Sequence, residues 1–156
     1  MVRLEIIAIG NKPPSWLRDG VDEYRRRMPR ECSISVREIP LPKRTKSTPS
    51  AQCIKVEAEK IRGALVPDSR TVAMDVKGKG WSTEELSQHL MRWMTDYQSV
   101  QFVVGGPDGL EKDIVECADD VWSLSRLTFP HAFVPVLITE QLYRAWTMIN
   151  RHPYHR

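Results

Sequence analysis

The stretch SVQFVVGGPDGLEKDIVECADDVWSLSRLTF, residues 99–129, contains a strand, a glycine turn, a helix and an extended segment in that order. Residues 99–104 are largely apolar and stop at two glycines and a Pro-Asp-Gly turn. A helix of about residues 110–118 follows, and VWSLSRLTF then reads as a last extended segment. Strands that alternate with helices are typical of an α/β domain with a mostly parallel sheet.

The same alternation extends through the rest of the chain. Ser82 and Glu85 form an S-x-x-E capping box, which marks the start of a helix. The sequence KGKG before it, residues 77–80, predicts a turn. The other predicted elements are strands at 2–9, 33–39 and 71–76 and helices at 15–28, 50–65 and 132–149, with Pro135 tolerated in the first turn of the last helix. We therefore predict one α/β domain over residues 1–156, with a mostly parallel sheet flanked by helices.

The last predicted helix is apolar around most of its circumference. A helix of this kind must be buried on several sides. In a chain of 156 residues, we expect a partner subunit to cover one of those sides.

The positive charge of the chain is concentrated in one region. The net charge is only +3, but residues 25–46 carry eight cations against two carboxylates, which leaves −3 elsewhere. Basic clustering of this kind is typical of polyanion binding, although a solvated helix face would look similar. The candidate RNA-binding residues are Arg25, Arg26, Lys43, Arg44 and Lys46, together with Arg151, His152 and Arg156 in the basic tail.

Composition excludes several classes of protein. No apolar run approaches the length of about 20 residues that a membrane span requires, and no export signal is visible. The three cysteines are widely spaced and form no C-x-x-C pair, so the sequence predicts a cytoplasmic protein without a disulfide framework. The histidine spacing fits no zinc motif, and we predict no metal. Phosphate-loop, dinucleotide and serine-hydrolase signatures are also absent.

Three loops follow strand ends and could form one pocket. They are AMDVKGKGW around Asp75, the GGPDG turn after residue 104, and SLSRLTFPH at 123–131. Ligands of open α/β sheets bind outside the carboxyl ends of the strands, and glycine allows close approach to the backbone. Each loop taken singly could equally be an ordinary turn, and Asp75 could cap its own turn.

Polar residues near the carboxyl terminus could act on a substrate. Glu140 and Arg144 are spaced i, i+4 on the last helix, which suits either a surface ion pair or a phosphate clamp. Tyr154 and His155 follow that helix and are not needed for packing. Arginine can bind phosphate, and tyrosine and histidine can stack on an unstacked base; the alternative is a frayed terminus.

Read together, VRLEIIAIG, AMDVKGKGW, FVVGGPDG, WSLSRLTFPH, ITEQLYRAW and HPYHR resemble, in this order, the ribosomal large subunit methyltransferase H family of SPOUT-class methyltransferases. The resemblance covers essentially the whole chain. It implies a deep trefoil knot in the carboxyl-terminal third and a homodimer. It also implies transfer of a methyl group from S-adenosylmethionine to N3 of a pseudouridine, at position 1915 of 23S rRNA, within the assembled ribosome.

The resemblance also assigns roles to residues. Cofactor contacts would fall on the three loops described above, at Met74, Gly105, Gly106, Ser125, Arg126, Leu127, Thr128, Phe129 and Pro130. Arg126 occupies a variable position and is given no catalytic role. Candidates for the base that accepts the N3 proton are His131, Glu140, Tyr154 and His155, while Arg144 would hold phosphate or base. The alternatives are a non-catalytic ribosome-binding or RNA-binding module and, less favoured, a metal-independent nucleotide hydrolase.

Overall fold

The computed structural model describes all residues from 1 to 156. Five parallel strands form one sheet in the order β2-β1-β4-β3-β5. The strands are β1 (Val2–Ile9), β2 (Cys32–Ile39), β3 (Arg70–Gly80), β4 (Ser99–Val104) and β5 (Asp120–Ser123). The helices are α1 (Ser15–Arg25), α2 (Ser50–Ala64), α3 (Thr83–Asp96), α4 (Lys112–Cys117) and α5 (Val134–Ile149), with short 3-10 turns at His131–Phe133 and Pro153–His155. The predicted α/β class with a parallel sheet flanked by helices is confirmed.

Both faces of the sheet are covered because the central strands are apolar on both sides. In β1, Leu4 and Ile6 belong to one core cluster, and Ile7 and Ile9 belong to the other. Helices α3 and α5 cover the first face, and α2 and α4 cover the second. Helix α1 packs against α5. This continuous hydrophobic character is typical of strands in parallel sheets.

The predicted capping box and the predicted position of Pro135 agree with the structure. Ser82 Oγ accepts from the backbone N–H of Glu85 at 3.1 Å, and the Glu85 carboxylate accepts from the N–H of Ser82 at 3.0 Å. The capping box therefore satisfies backbone donors that the first turn of α3 would leave free. Pro135 lies in the first turn of α5, as predicted.

The predicted turn at KGKG is wrong, because strand β3 continues through it. Met74 and Lys79 both pair with Trp122, so residues 75–78 bulge out of the ladder before pairing resumes. A Cβ on Gly78 would lie 2.6 Å from the Val121 carbonyl oxygen, which explains the glycine in this close crossing.

The predicted last extended segment is shorter than its sequence suggested. Only Asp120–Ser123 forms a strand. Ser123 then donates its hydroxyl to the Ser125 carbonyl at 2.9 Å, and Ser125 Oγ accepts from the Leu127 N–H at 3.0 Å. These local hydrogen bonds compete with the sheet ladder and turn residues 124–130 into a loop. The next helical segment starts as the 3-10 turn at His131–Phe133, and α5 begins at Val134.

No helix of the chain is both long and apolar enough to cross a lipid bilayer.

Candidate active site at the carboxyl edge of the sheet

A cleft of about 650 Å³ lies where β3, β4 and β5 end. Because the strands are parallel, their carboxyl ends lie at one edge of the sheet, and the three loops that follow them converge there. Eight of the nine residues assigned to the cofactor by resemblance line this cleft: Met74, Gly105, Gly106, Ser125, Leu127, Thr128, Phe129 and Pro130. The side chain of Arg126 is exposed and does not contribute to the lining.

The glycine loop after β4 gives the cleft a wall made of backbone. A Cβ on Gly105 would lie 2.7 Å from the carbonyl carbon of Gly109, closer than real Cβ atoms come to backbone. Gly109 itself has φ of 83°, and its N–H donates to the Gly106 carbonyl at 3.0 Å. Glycine is therefore required at both positions, by close approach at one and by a left-handed backbone at the other.

The cleft combines this backbone wall with apolar side chains from the other loops. Met74, Leu124 and Phe129 contribute to the lining. Apolar walls with a few convergent polar groups are typical of small-molecule and cofactor sites, and the volume lies within their usual range of about 300–1,000 Å³. The donor set thus fits a nucleoside cofactor held by backbone amides and carbonyls.

Asp75 also lies on the cleft wall, and one of its oxygens is already engaged. Its Oδ1 accepts from the N–H of Lys77 at 2.8 Å. Of the two roles left open by the sequence, capping of the local chain is the one observed.

The loop between β2 and α2 contacts the back of the glycine loop. Arg44 Nη1 lies 2.9 Å from Asp108 Oδ2, and its Nη2 lies 3.8 Å from Glu57 Oε1. Glu57 is buried, and neither of its oxygens forms a hydrogen bond. Burial raises the pKa of Glu57, and the positive charge of Arg44 opposes that rise.

Glu57 also packs directly behind the cleft. A Cβ added to Gly106 would lie 2.9 Å from Glu57 Oε1 and 3.1 Å from Ile9 Cγ2. The sequence predicted Arg44 as an RNA ligand but gave no signal for Glu57, since its only local feature is one carboxylate on the inner face of α2.

His131 lies on the wall of the cleft, in the 3-10 turn that precedes α5. Its imidazole approaches Gly10, where a Cβ would lie 3.3 Å from His131 Cδ2. Among the predicted catalytic residues, His131 alone belongs to the cleft lining.

Glu140, Arg144 and Tyr154 form a separate hydrogen-bonded group, the tail cluster. Arg144 donates to Glu140 Oε1 from Nε at 3.0 Å and from Nη2 at 2.6 Å. The Tyr154 hydroxyl donates to the same oxygen at 3.0 Å. The bond to the carboxylate raises the pKa of Arg144. The tail cluster does not line the cleft of its own chain.

The turn after α5 directs the tail back onto the helix. His152 N–H donates to the Thr147 carbonyl at 2.8 Å, and Arg151 N–H donates to the Met148 carbonyl at 3.2 Å. Arg151 has φ of 54°. Both bonds and the left-handed residue define a Schellman motif, in which arginine occupies the position that glycine usually takes.

Aromatic and cationic side chains from α5, from α1 and from the turn after α1 complete the surroundings of Tyr154. Its ring lies 4.7 Å from that of Tyr143 and 6.4 Å from that of Tyr24. The Arg27 guanidinium lies between 5.1 and 5.9 Å from all three tyrosine rings, and that of Arg144 lies 5.0 Å from the Tyr154 ring. Tyr24 and Arg27 were not among the predicted site residues. The only signal for Tyr24 was helical spacing, and the only signal for Arg27 was its place in the basic cluster of residues 25–46. Neither signal gives information about distant partners.

The environment of Tyr154 keeps its hydroxyl protonated. Burial, hydrogen bonding with Tyr24 and hydrogen bonding with Glu140 raise the pKa of Tyr154, in that order of importance. The phenol can therefore donate a hydrogen bond at neutral pH but cannot act as a base there. His155 follows it with a buried Nδ1 that has no hydrogen-bond partner.

The residues predicted to bind RNA differ in whether their charges are already paired within the chain. Lys43, Lys46 and Arg156 are exposed and form no ion pair, whereas Arg25 lies 3.1 Å from Asp22 and Arg26 lies 3.7 Å from Glu23. Arg151 and His152 are exposed at the turn after α5. His152 Nδ1 accepts from the N–H of Tyr154 at 3.2 Å. No group of three or more His, Cys, Asp or Glu side chains is arranged to hold a metal ion.

Comparison with known proteins agrees with this architecture. A family model described as "Predicted SPOUT methyltransferase" matches residues 2–155. The chain belongs to the SPOUT methyltransferase family. It is 44% identical to the ribosomal RNA large subunit methyltransferase H of Methylococcus capsulatus, over 99% of this chain and 100% of the relative. Identity to the proteins of that name from Azotobacter vinelandii and Marinomonas sp. is 45% and 44%, with the same coverage. The resemblance seen in the sequence motifs is confirmed.

Proposed function

We propose that this SPOUT methyltransferase transfers a methyl group from S-adenosylmethionine to N3 of a pseudouridine in 23S rRNA, at position 1915, in the assembled ribosome. One observation carries the proposal. Three loops that resemble those of methyltransferase H enclose a single cleft with a backbone wall and apolar sides. Full-length relatives at 44–45% identity, named ribosomal RNA large subunit methyltransferase H, support the substrate class.

The cofactor would be held by the cleft itself. The backbone of residues 105–106 and 125–130 would bind its polar edges, and Met74 would cover an apolar face. S-adenosylmethionine supplies a methyl carbon on a sulfonium sulfur, which leaves as a neutral thioether. The task of the protein is then to bring N3 into line with that carbon.

His131 is the residue we assign to the N3 proton. It is the one candidate base on the cleft wall, and an imidazole nitrogen can accept a proton. Tyr154 stays protonated, and Glu140 already accepts hydrogen bonds from Arg144 and Tyr154. We therefore assign Tyr154, His155 and Arg144 to binding the RNA rather than to proton removal.

A homodimer is part of the proposal. Apolar residues of α5, among them Val136, Leu137 and Trp146, are only half-buried in the single chain. Because the tail cluster lies away from its own cleft, a second subunit would be needed for it to contribute to a cleft. The trefoil knot stays a prediction from the family resemblance, and the single-domain organisation stays a prediction from the sequence.

The proposed RNA surface consists of the free cations of the basic loop and tail, principally Lys43, Lys46 and Arg156. Phosphate contacts of this kind position a nucleic acid without reading its sequence. A ribosomal substrate agrees with the cytoplasmic location predicted from the sequence.

The proposal is tested by incubating the protein with labelled S-adenosylmethionine and with assembled ribosomes or separated subunits, and by mapping the modified nucleotide by mass spectrometry. We expect one N3-methylated pseudouridine in 23S rRNA. Titration calorimetry with S-adenosylmethionine gives an independent readout. If S-adenosylmethionine does not bind at millimolar concentration, the proposed methyltransferase activity is overturned, and a non-catalytic RNA-binding module is favoured.

A further inference from the structure

A second cavity, of about 290 Å³, opens at the same edge of the sheet, beside the cleft. It lies where β1 and β2 end, between α1 and the start of α5. His131 is the only residue that lines both the cavity and the cleft. The two spaces are therefore neighbours that share one imidazole wall.

We propose that this cavity binds the target nucleotide of the RNA, as a single unstacked pyrimidine nucleotide, while the methyl donor occupies the cleft. The inference rests on the proposed function and adds a location for the substrate base. Enzymes that modify a base inside structured nucleic acid extrude it into a snug pocket, because the reacting atom is otherwise hidden by stacking and pairing.

The size of the cavity favours one nucleotide. Its volume lies at the lower limit of small-ligand pockets, which is about 300 Å³. A base with part of its ribose is a ligand of this scale, whereas a base pair or a helix end is not. The neighbouring 650 Å³ cleft is the larger of the two, as a whole nucleoside cofactor requires.

The chemistry of the lining matches one face and the edge of a pyrimidine ring. Leu17, Val21 and Val36 give the cavity an apolar side on which a ring can pack. The Asn11 amide presents both a donor and an acceptor, as the edge of a uracil ring does. Single-stranded bases are commonly recognised through such edge contacts.

The cavity lining holds two arginines and two carboxylates, Asp22 and Glu38, and the arginines suit the phosphate of the same nucleotide. Arg18 and Arg25 both contribute to the lining. Arg18 forms no ion pair, so its charge is free for a phosphate, whereas Arg25 is partly neutralised by Asp22 at 3.1 Å. Arg25 was predicted from the sequence to bind RNA, and the structure places it at this cavity rather than on a distant surface.

The shared imidazole explains why two adjacent cavities would serve one reaction. A base in the cavity would meet His131 on the side that borders the cleft. Gly10 leaves room for the imidazole at this point, since a side chain there would come within 3.3 Å of it.

The test fills the cavity without touching the cleft. Val21→Phe on α1 would occupy the apolar side of the cavity, and Val56→Phe is the matched control, because Val56 is exposed on α2 and lines neither space. We expect Val21→Phe to lower kcat/KM for ribosomal methylation by about 100-fold, the loss that misplacement of a reacting group produces. Its affinity for S-adenosylmethionine should stay within about twofold of that of the control, a change below 0.5 kcal/mol.

A binding measurement separates the cavity from the reaction. Ligand-observed NMR with uridine 5′-monophosphate should show saturation transfer with the wild-type protein and Val56→Phe, and none with Val21→Phe. Because no methylation is involved, this result does not depend on the proposed reaction. Equal saturation transfer with Val21→Phe, or unchanged methylation by that variant, would overturn the proposal that the cavity binds the nucleotide. Neither result would contradict the proposed methyltransferase activity.

A second variant tests nucleotide binding in the cavity if Val21→Phe is poorly folded. Asn11→Ala removes a polar contact from an exposed loop, and Gln52→Ala truncates an amide on the exposed side of α2. We expect about a fivefold loss of kcat/KM for Asn11→Ala alone, the effect of one lost hydrogen bond. Equal rates for the two variants, with both folded, would reject the inference.

Discussion

The guanidinium of Arg44 lies 2.9 Å from the carboxylate of Asp108, in the glycine loop that lines the cleft. The same guanidinium faces the buried carboxylate of Glu57 at 3.8 Å. An ion pair thus connects the loop predicted to contact RNA with the loop predicted to hold the cofactor. We therefore expect Arg44 to position the wall of the cleft, in addition to the RNA contact predicted for it from the sequence.

Arg44→Ala should weaken the binding of S-adenosylmethionine by about fivefold, because the glycine loop loses an ion pair worth about 1 kcal/mol. Titration calorimetry measures the change. Lys43→Ala is the control, since Lys43 is exposed, carries the same charge and forms no ion pair. Equal losses of cofactor affinity in the two variants would mean that general charge, and not the contact with Asp108, is responsible.

Glu140→Gln should lower ribosomal methylation by about tenfold or more while leaving the affinity for S-adenosylmethionine unchanged. The carboxylate accepts from both Arg144 and Tyr154, and hydrogen bonds to a charged group contribute about 1.5–3 kcal/mol. Single-turnover rates on ribosomes provide the measurement. Glu59→Gln is the matched control, because Glu59 also pairs with a helical arginine but is largely exposed. A normal methylation rate for Glu140→Gln would show that the tail cluster does not contribute to the reaction.

Tyr154 should make the free energy of unfolding depend on alkaline pH. Its pKa is raised in the folded protein, so its stabilising contribution is complete below the unfolded value of about 10 and is lost as the pH rises through the folded pKa. Denaturant unfolding of the wild-type protein and Tyr154→Phe at a series of pH values checks this. Stability should fall more steeply above pH 10 in the wild type. Parallel curves would show that Tyr154 does not have a raised pKa.

Gly105→Ala should disrupt the cleft, because its Cβ would lie 2.7 Å from the backbone of Gly109. We expect a loss of about 1–3 kcal/mol in the free energy of unfolding and little remaining cofactor binding. Gly63→Ala is the control. Gly63 lies in α2, its Cβ would meet nothing within 4 Å, and alanine there should stabilise by about 0.5–1 kcal/mol. Thermal unfolding and calorimetry distinguish the two. Similar stability in both variants would contradict the close approach at Gly105.

Local pattern was enough to predict the strands, most of the helices and the three loops of the cleft. Those features depend on neighbouring residues: hydrophobic periodicity, the Ser82–Glu85 capping box and the Pro-Asp-Gly turn. The parallel arrangement then brings the strand ends to one edge without further information. The bulge in β3 escaped prediction because its cause is the close approach of Gly78 to Val121 on another strand.

Sequence alone thus determined the α/β class, the family and the identity of eight residues on the cleft wall. Tertiary structure decided which distant groups meet. It joined Arg44 to Asp108, packed Tyr24 and Arg27 around Tyr154, and set His131 between two cavities. Such contacts depend on how helices pack across the sheet, and residues far apart in the chain carry no local signal of the partners that folding gives them.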